Sequence, residues 1–166
     1  MPESRIRFSV IGLNHGHIYS QVAALQRGGG ALVSVFAKEP DLLAAFTQQY
    51  PQAQRARSEQ EILEDASIQL IVSAAIPCER APLGIAAMQH GKDFMSDKPG
   101  MTTLAQLAAV RSVQQETQRI YSIFYSERCD GQGRRVDPGG SAWRGAANCW
   151  PRSTPIPPAA TSSLVL

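Results

Sequence analysis

The residues whose types and spacing suit chemistry fall in two short segments. In "VIGLNHGHIYS", Val10 to Ser20, two glycines, Gly12 and Gly16, are interleaved with Asn14, His15 and His17 directly behind an apolar run. Glycine there suits a turn that reverses tightly after a strand, brings backbone N–H groups close to a phosphate and aims a helix N-terminus at it. Written in G-x-G-x-x-G register the turn reads Gly12, Asn14, His17, with Gly16 displaced by one position. Asn14 stands where a residue that tolerates a left-handed backbone is wanted. The second segment, "GKDFMSDKPG", delivers Asp97, Lys98 and Pro99 at the end of a short strand, the edge of an open parallel sheet where ligands bind.

The two histidines admit a second chemistry, metal ligation. Residues two apart on a helix diverge, so His15 and His17 would need an extended turn and further ligands from His90 or Cys78, which stand in no recognisable spacing. The expectation is therefore no metal, with both histidines as helix-start side chains making ordinary hydrogen bonds.

Residues 1–128 alternate β-rich runs with helical patterns, as repeated β-α-β units of a parallel sheet require. Six strands are expected: Arg7 to Ile11, Ala31 to Phe36, a weak one near Gln54 to Ala56, Leu70 to Ala74, Asp93 to Ser96, and Ile120 to Phe124. The helices between them carry end signals. The first stops before Gly28, Gly29 and Gly30; the second opens on Pro40; Ser58 with Glu61 and Thr103 with Gln106 have capping-box spacing; and Gly91 ends a helix that carries Pro82 early. The fold class is α/β, a doubly wound parallel sheet with strand order 3-2-1-4-5-6, over residues 1–128.

Composition narrows the partners. Up to Arg128 the chain has 12 Lys plus Arg against 12 acidic residues, which argues against a broad basic surface for nucleic acid. Three cysteines at wide spacing suggest neither a disulfide framework nor a paired zinc site, and no stretch has the length or apolarity of a signal segment or a membrane span. A cytoplasmic protein, bound to neither nucleic acid nor membrane, is expected.

In a dinucleotide-binding fold an acidic residue ending the second strand holds the adenosine ribose. Here that strand ends "VFAKEP", which places Ala37 at the acidic position, followed by Lys38. A small neutral residue beside a cation accepts a 2′-phosphate, so NADP is at least as plausible as NAD. Glu39 takes the ribose if the register slips by a residue or two.

On "GKDFMSDKPG", "IVSAAIP" and "RIYSIFYSER" the sequence resembles the Gfo/Idh/MocA family of NAD(P)-dependent sugar oxidoreductases and dehydrogenases, over about residues 5–128. The resemblance implies a Rossmann-like NAD(P)-binding domain, with Lys98 beside the nicotinamide orienting and polarising the substrate hydroxyl or carbonyl, and Asp97 holding its ammonium. Gly12, Asn14, His15, Gly16, His17, Ala37, Lys38, Ala75, Pro77 and Pro99 would line the cofactor. The family's Pro-Asn-x-x-His after the fourth strand reads Pro77, Cys78, Glu79, Arg80, Ala81, and Asp97 replaces the family's glutamate.

Beyond Arg128 the pattern stops. Ten of the 38 residues from 129 to 166 are Gly or Pro, with four arginines and both tryptophans, Trp143 and Trp150, and an irregular tail is expected. Its Arg, Gly, Pro, Ala, Trp and Cys mixture is what a shifted reading frame of GC-rich coding sequence gives, which sequencing of the coding DNA in the other frames would test. Family members continue into a second α+β domain that binds substrate, and its D-x-G-x-H segment has no counterpart here. A small-molecule substrate is then expected only where a second domain or a partner chain completes the site; alone, the chain would be a nucleotide-binding remnant.

Overall fold

The computed structural model describes residues 5–125. The expected tail, 129–166, and its two tryptophans lie outside these residues. The described chain runs β1 (Arg7–Ile11), α1 (His17–Arg27), β2 (Ala31–Phe36), α2 (Pro40–Gln49), β3 (Gln54–Arg55), α3 (Glu59–Glu64), β4 (Leu70–Ser73), α4 (Pro77–Gln89), β5 (Asp93–Asp97), α5 (Leu104–Thr117) and β6 (Tyr121–Phe124). The strands form one sheet in the order β3-β2-β1-β4-β5-β6, every neighbouring pair parallel, as the sequence predicts.

Strand alternation assigns the two faces. Phe8 and Val10 of β1 and Leu70 and Val72 of β4 pack with Ile18 and Val22 of α1 and Phe46 of α2. Ile11 and Ile71, one residue out of phase, pack on the other face with Ile62 and Leu63 of α3, Leu83 and Ala87 of α4, and Phe94 of β5. Helices on both faces explain why β4 reads Leu-Ile-Val-Ser, buried throughout, where a one-sided strand would alternate with polar residues. Burying seven such side chains on one face is worth roughly 1.5 to 3 kcal/mol each against exposure, before chain entropy is set against it. The strand order reverses between β1 and β4, and the carboxyl ends there open a crevice.

The predicted caps form. The Ser58 hydroxyl accepts from the Glu61 N–H at 3.2 Å, and the Thr103 hydroxyl from the Gln106 N–H at 3.1 Å. The returning side chains reach one residue further out than a standard capping box: Glu61 accepts from the Arg57 N–H and Gln106 from the Thr102 N–H.

One helix begins earlier than its sequence suggests. α4 starts at Pro77, so Pro82 lies inside it. Proline has no N–H to give the carbonyl four residues back, here that of Cys78. The Gln106 side chain supplies the missing donor from the start of α5, at 3.1 Å.

Candidate functional site: the crevice at the carboxyl ends of the strands

Gly12 is the backbone hinge of the crevice. It leaves β1 with φ +84°, a region L side chains rarely adopt, and a Cβ built on it would lie 2.5 Å from the Ala75 Cβ. Ala75 follows β4, so glycine here is what lets the turn after β1 lie against the strand next to it. Gly16 differs: its φ is −61° and a Cβ there would meet nothing within 4 Å. Only the first glycine of the turn is required by the fold.

The N-cap of α1, Gly16, has no side chain to offer and the first turn holds no acidic residue, while the His17 N–H is given to His15 Nδ1 at 3.3 Å. An uncapped N-terminus carrying the positive end of the helix dipole is suited to an anion. Beside it a cleft of about 350 Å³ is lined by Gly12, Asn14, Ala37, Lys38, Glu39, Ala75, Cys78 and Glu79, among others. That size falls in the range of small-ligand sites, and its place at the strand carboxyl ends is where open α/β sheets bind them. A roomier cleft of about 470 Å³ includes Gln69, Lys92 and Asp93 at the amino ends of β4 and β5, the opposite edge of the sheet.

Ala37 is buried in the cleft wall, at the position the sequence analysis aligned with the ribose carboxylate. Glu39 accepts a hydrogen bond of 2.7 Å from the Asn14 amide, which brings a carboxylate back to the turn after β1. Lys38 reaches across to Glu79 of α4, Nζ to Oε1 3.0 Å. That hydrogen bond, and then the Glu79 charge, hold the ammonium's pKa above its ordinary value. Glu79 was not among the residues picked from the sequence.

At the other end of the crevice Asp97 is the hub. Its carboxylate, 1% exposed, has Oδ1 3.0 Å from His17 Nδ1, and Oδ2 3.4 Å from His15 Nδ1 and 3.5 Å from Arg80 Nη2. The resemblance implied that Asp97 holds the Lys98 ammonium. Among the described residues the polar neighbours of the Asp97 carboxylate are instead the two imidazoles and the Arg80 guanidinium, because the carboxylate turns toward the start of α1. Lys98 is half-buried at the end of β5 and joined to exposed Pro99 by a cis peptide bond; Pro77, also exposed, opens α4.

Arg80 is the buried residue that sequence reasoning missed. Its guanidinium donates from Nε to the Ala75 carbonyl at 2.7 Å and from Nη1 to the Pro99 carbonyl at 3.1 Å. Burial lowers its pKa from the ordinary arginine value and Asp97 acts in the opposite direction. Arg80 heads the helical segment read from the sequence, where nothing local announces the carbonyls that its buried guanidinium meets. The expectation that His15 and His17 diverge also fails: α1 starts at His17, His15 precedes it in the turn, and both rings reach one carboxylate, their centroids 4.3 Å apart. His90 is not involved; its ring bonds the Ala86 carbonyl near the C-terminus of α4.

A doubly wound parallel sheet with a glycine hinge, an uncapped α1 and a cleft at its switch point defines a dinucleotide-binding domain of the Rossmann type. The chain belongs to the Gfo/Idh/MocA oxidoreductase family and carries its NAD-binding Rossmann fold, matched over residues 6–125. It is similar to a solved oxidoreductase-class protein of Erwinia carotovora atroseptica, with 42% identity and a TM-score of 0.74 over 76% of this chain and 38% of that one. The fold is shared with the WlbA dehydrogenase of Chromobacterium violaceum, solved with NADH and UDP-GlcNAcA (16% identity, TM-score 0.70, 80% of this chain and 39% of that one). It is also shared with the biliverdin reductase of Synechocystis, solved with biliverdin and NADP+ (20%, 0.63, 78% and 40%). This chain spans about two fifths of the length of these structures. No curated protein matches it. No helix of the described residues is long and apolar enough to cross a membrane.

Proposed function

We propose that the domain holds NAD or NADP with its pyrophosphate on the turn from Gly12 to His17 and its adenosine in the cleft between Ala37 and Glu79, and that it serves hydride transfer to or from a sugar or polyol-like substrate. The observation that carries this reading is Gly12: its φ of +84° and its closeness to Ala75 bring the turn that leads into α1 against the end of β4, beside the cleft that Gly12 and Asn14 line. Ala37, Lys38, Ala75, Pro77 and Pro99 are proposed as cofactor-side residues. Lys98, at the end of β5, is proposed to orient and polarise the reacting hydroxyl or carbonyl. Asp97 supports it from behind by fixing the start of α1, a positioning role.

Hydride transfer needs substrate held against the nicotinamide, and well-fixed geometry contributes roughly 7 to 11 kcal/mol of barrier lowering. We assign that wall to a further domain or a partner chain, in a cytoplasmic protein that binds neither nucleic acid nor membrane. Calorimetric titration of the 166-residue chain with NAD and NADP tests the cofactor reading; saturable binding is expected and its absence overturns it. Reduced nicotinamide is then followed with a panel of polyols, inositols and sugar phosphates, in the wild type and in Lys98→Ala. Binding without turnover is expected of the chain alone. Robust turnover that Lys98→Ala leaves intact would remove Lys98 from the chemistry.

A further inference from the structure

The cluster at the start of α1 carries a second reading that the dinucleotide does not absorb. Two imidazoles and a carboxylate, from His15, His17 and Asp97, offer one ligand atom each, all within 4.8 Å of one another. Two imidazole nitrogens and a carboxylate oxygen are the donor set of open zinc sites, in which a water completes the tetrahedron. For metal–ligand bonds of about 2.1 Å the edge of such a tetrahedron is roughly 3.4 Å. His17 Nδ1 lies 3.0 Å from Asp97 Oδ1 and His15 Nδ1 3.4 Å from Asp97 Oδ2, close to that edge, and one ligand atom from each residue lies within 4.8 Å of the other two.

An independent observation points the same way. Asp97 Oδ2 is buried and has no hydrogen-bond partner. Its neighbour His15 Nδ1 accepts the His17 backbone N–H at 3.3 Å, and an imidazole nitrogen that accepts carries no proton to give the carboxylate. These two acceptors share no proton at 3.4 Å, and Arg80, 3.5 Å from Oδ2, makes no hydrogen bond to it; a buried acceptor without a hydrogen bond costs about 1 to 3 kcal/mol.

We infer that His15, His17 and Asp97 form a binding site for one divalent transition-metal ion of the zinc type, with a fourth position left for water or an oxygen of a bound molecule. The choice of metal follows from the donors: imidazole favours zinc and its transition-metal neighbours over magnesium and calcium, which take all-oxygen shells. Arg80 supports the site from outside. Anchored on the Ala75 and Pro99 carbonyls, its Nη2 stands 3.5 Å from Asp97 Oδ2 without hydrogen-bonding it, so that oxygen keeps its lone pairs for the ion while the guanidinium holds the carboxylate in place, as outer-shell partners do.

Cobalt(II) is the probe, because its visible absorption reports ligand number and type. The full chain is stripped with chelator, desalted and titrated with Co2+ in the absence of dinucleotide. One ion per chain, with the absorption of a four-coordinate nitrogen and oxygen site that Zn2+ abolishes, is the expected result. His15→Gln, a change in an exposed turn, and Asp97→Asn should each weaken binding by about 10-fold or more, the scale on which even outer-shell changes act. Circular dichroism of each variant separates loss of ligand from loss of fold. His90→Gln and Cys78→Ser should leave the titration unchanged. Absence of a visible band, an intense thiolate-to-metal band, or wild-type affinity in both His15→Gln and Asp97→Asn would each overturn the assignment. Because no nucleotide is present, failure here leaves the cofactor reading untouched.

Discussion

Lys38 and Glu79 are joined across the cleft at the strand carboxyl ends, Nζ to Oε1 3.0 Å, and both line it. A cation occupied in this way is not the free phosphate anchor that the sequence context suggests. Glu39 and Glu59 line the same cleft, so the one lysine is set among three carboxylates. A 2′-phosphate entering here would meet more negative than positive charge.

NADP binding should therefore be the weaker of the two in the wild type, and Glu79→Gln should strengthen it. Both partners are exposed, and such a pair contributes about 0 to 1 kcal/mol, so the gain for NADP is up to about 5-fold with NAD changed less. Lys38→Glu should weaken NADP more than NAD. Parallel calorimetric titrations with the two dinucleotides check this; equal effects on both would remove the pair from the 2′ position.

Gly12→Ala should damage fold and binding together. The positive φ costs an L residue roughly 1 to 2 kcal/mol, and the new methyl would stand 2.5 Å from the Ala75 methyl, so the turn must shift. Gly16→Ala, with open space around its Cβ, is the matched control for stability. Thermal denaturation of the two variants should separate them clearly, and NAD titration of Gly12→Ala should show lost affinity.

Gly84→Ala opposes two effects of different size. Alanine is favoured over glycine in a helix by about 1 kcal/mol. The added Cβ, however, would lie 2.6 Å from a ring carbon of Phe94 and closer still to the Tyr121 ring, and overpacking a buried seam costs about 1 to 3 kcal/mol. Packing should win, and the variant should melt below the wild type; a higher midpoint would show that the seam between α4 and the β5–β6 edge yields easily.

Tyr121 sets the alkaline limit. Burial raises its pKa from 10.0 to about 12, against smaller opposing effects of Ser96 and Arg80, and its hydroxyl donates to the Gly100 carbonyl at 2.5 Å. The folded state thus prefers the neutral phenol. That contribution is fully present below pH 10 and is lost as the pH rises through about 12. Denaturant melts from pH 8 to 12 should show stability falling at the top of this range, and Tyr121→Phe should flatten the fall while losing about 0.5 to 1.5 kcal/mol at neutral pH.

Strand order, both side-chain caps and the glycine hinge were legible in the sequence because each rests on a local signal: an apolar run, a Ser or Thr three residues before an acid or amide, a glycine ending a strand. What escaped was long-range or competed with a local rule. Pro82 looks like a helix start, and only the donor from Gln106, 24 residues later, makes it acceptable in the interior. Arg80 and Glu79 stand at the start of that helix, and their partners, the Ala75 and Pro99 carbonyls and Lys38, lie in other connections that no local pattern announces. His15 and His17 were judged by helical geometry, whereas His15 stands in the turn and its meeting with Asp97 spans 82 positions. The resemblance pairs Asp97 with Lys98, whereas its carboxylate faces His15, His17 and Arg80, because the direction of a carboxylate depends on which polar groups surround it in space.

The two carbonyls that Arg80 engages belong to different connections, Ala75 after β4 and Pro99 after β5. One rigid guanidinium therefore sets the spacing between adjacent loop bases at the mouth of the crevice before any ligand arrives. The ordering entropy of that gap is met during folding and is not charged against association, where loop ordering ordinarily subtracts from affinity. A ligand at this edge meets an aperture of fixed width. What it meets there is a spacing already tied by Arg80 to two carbonyls, not a pair of loops that each ligand must first order.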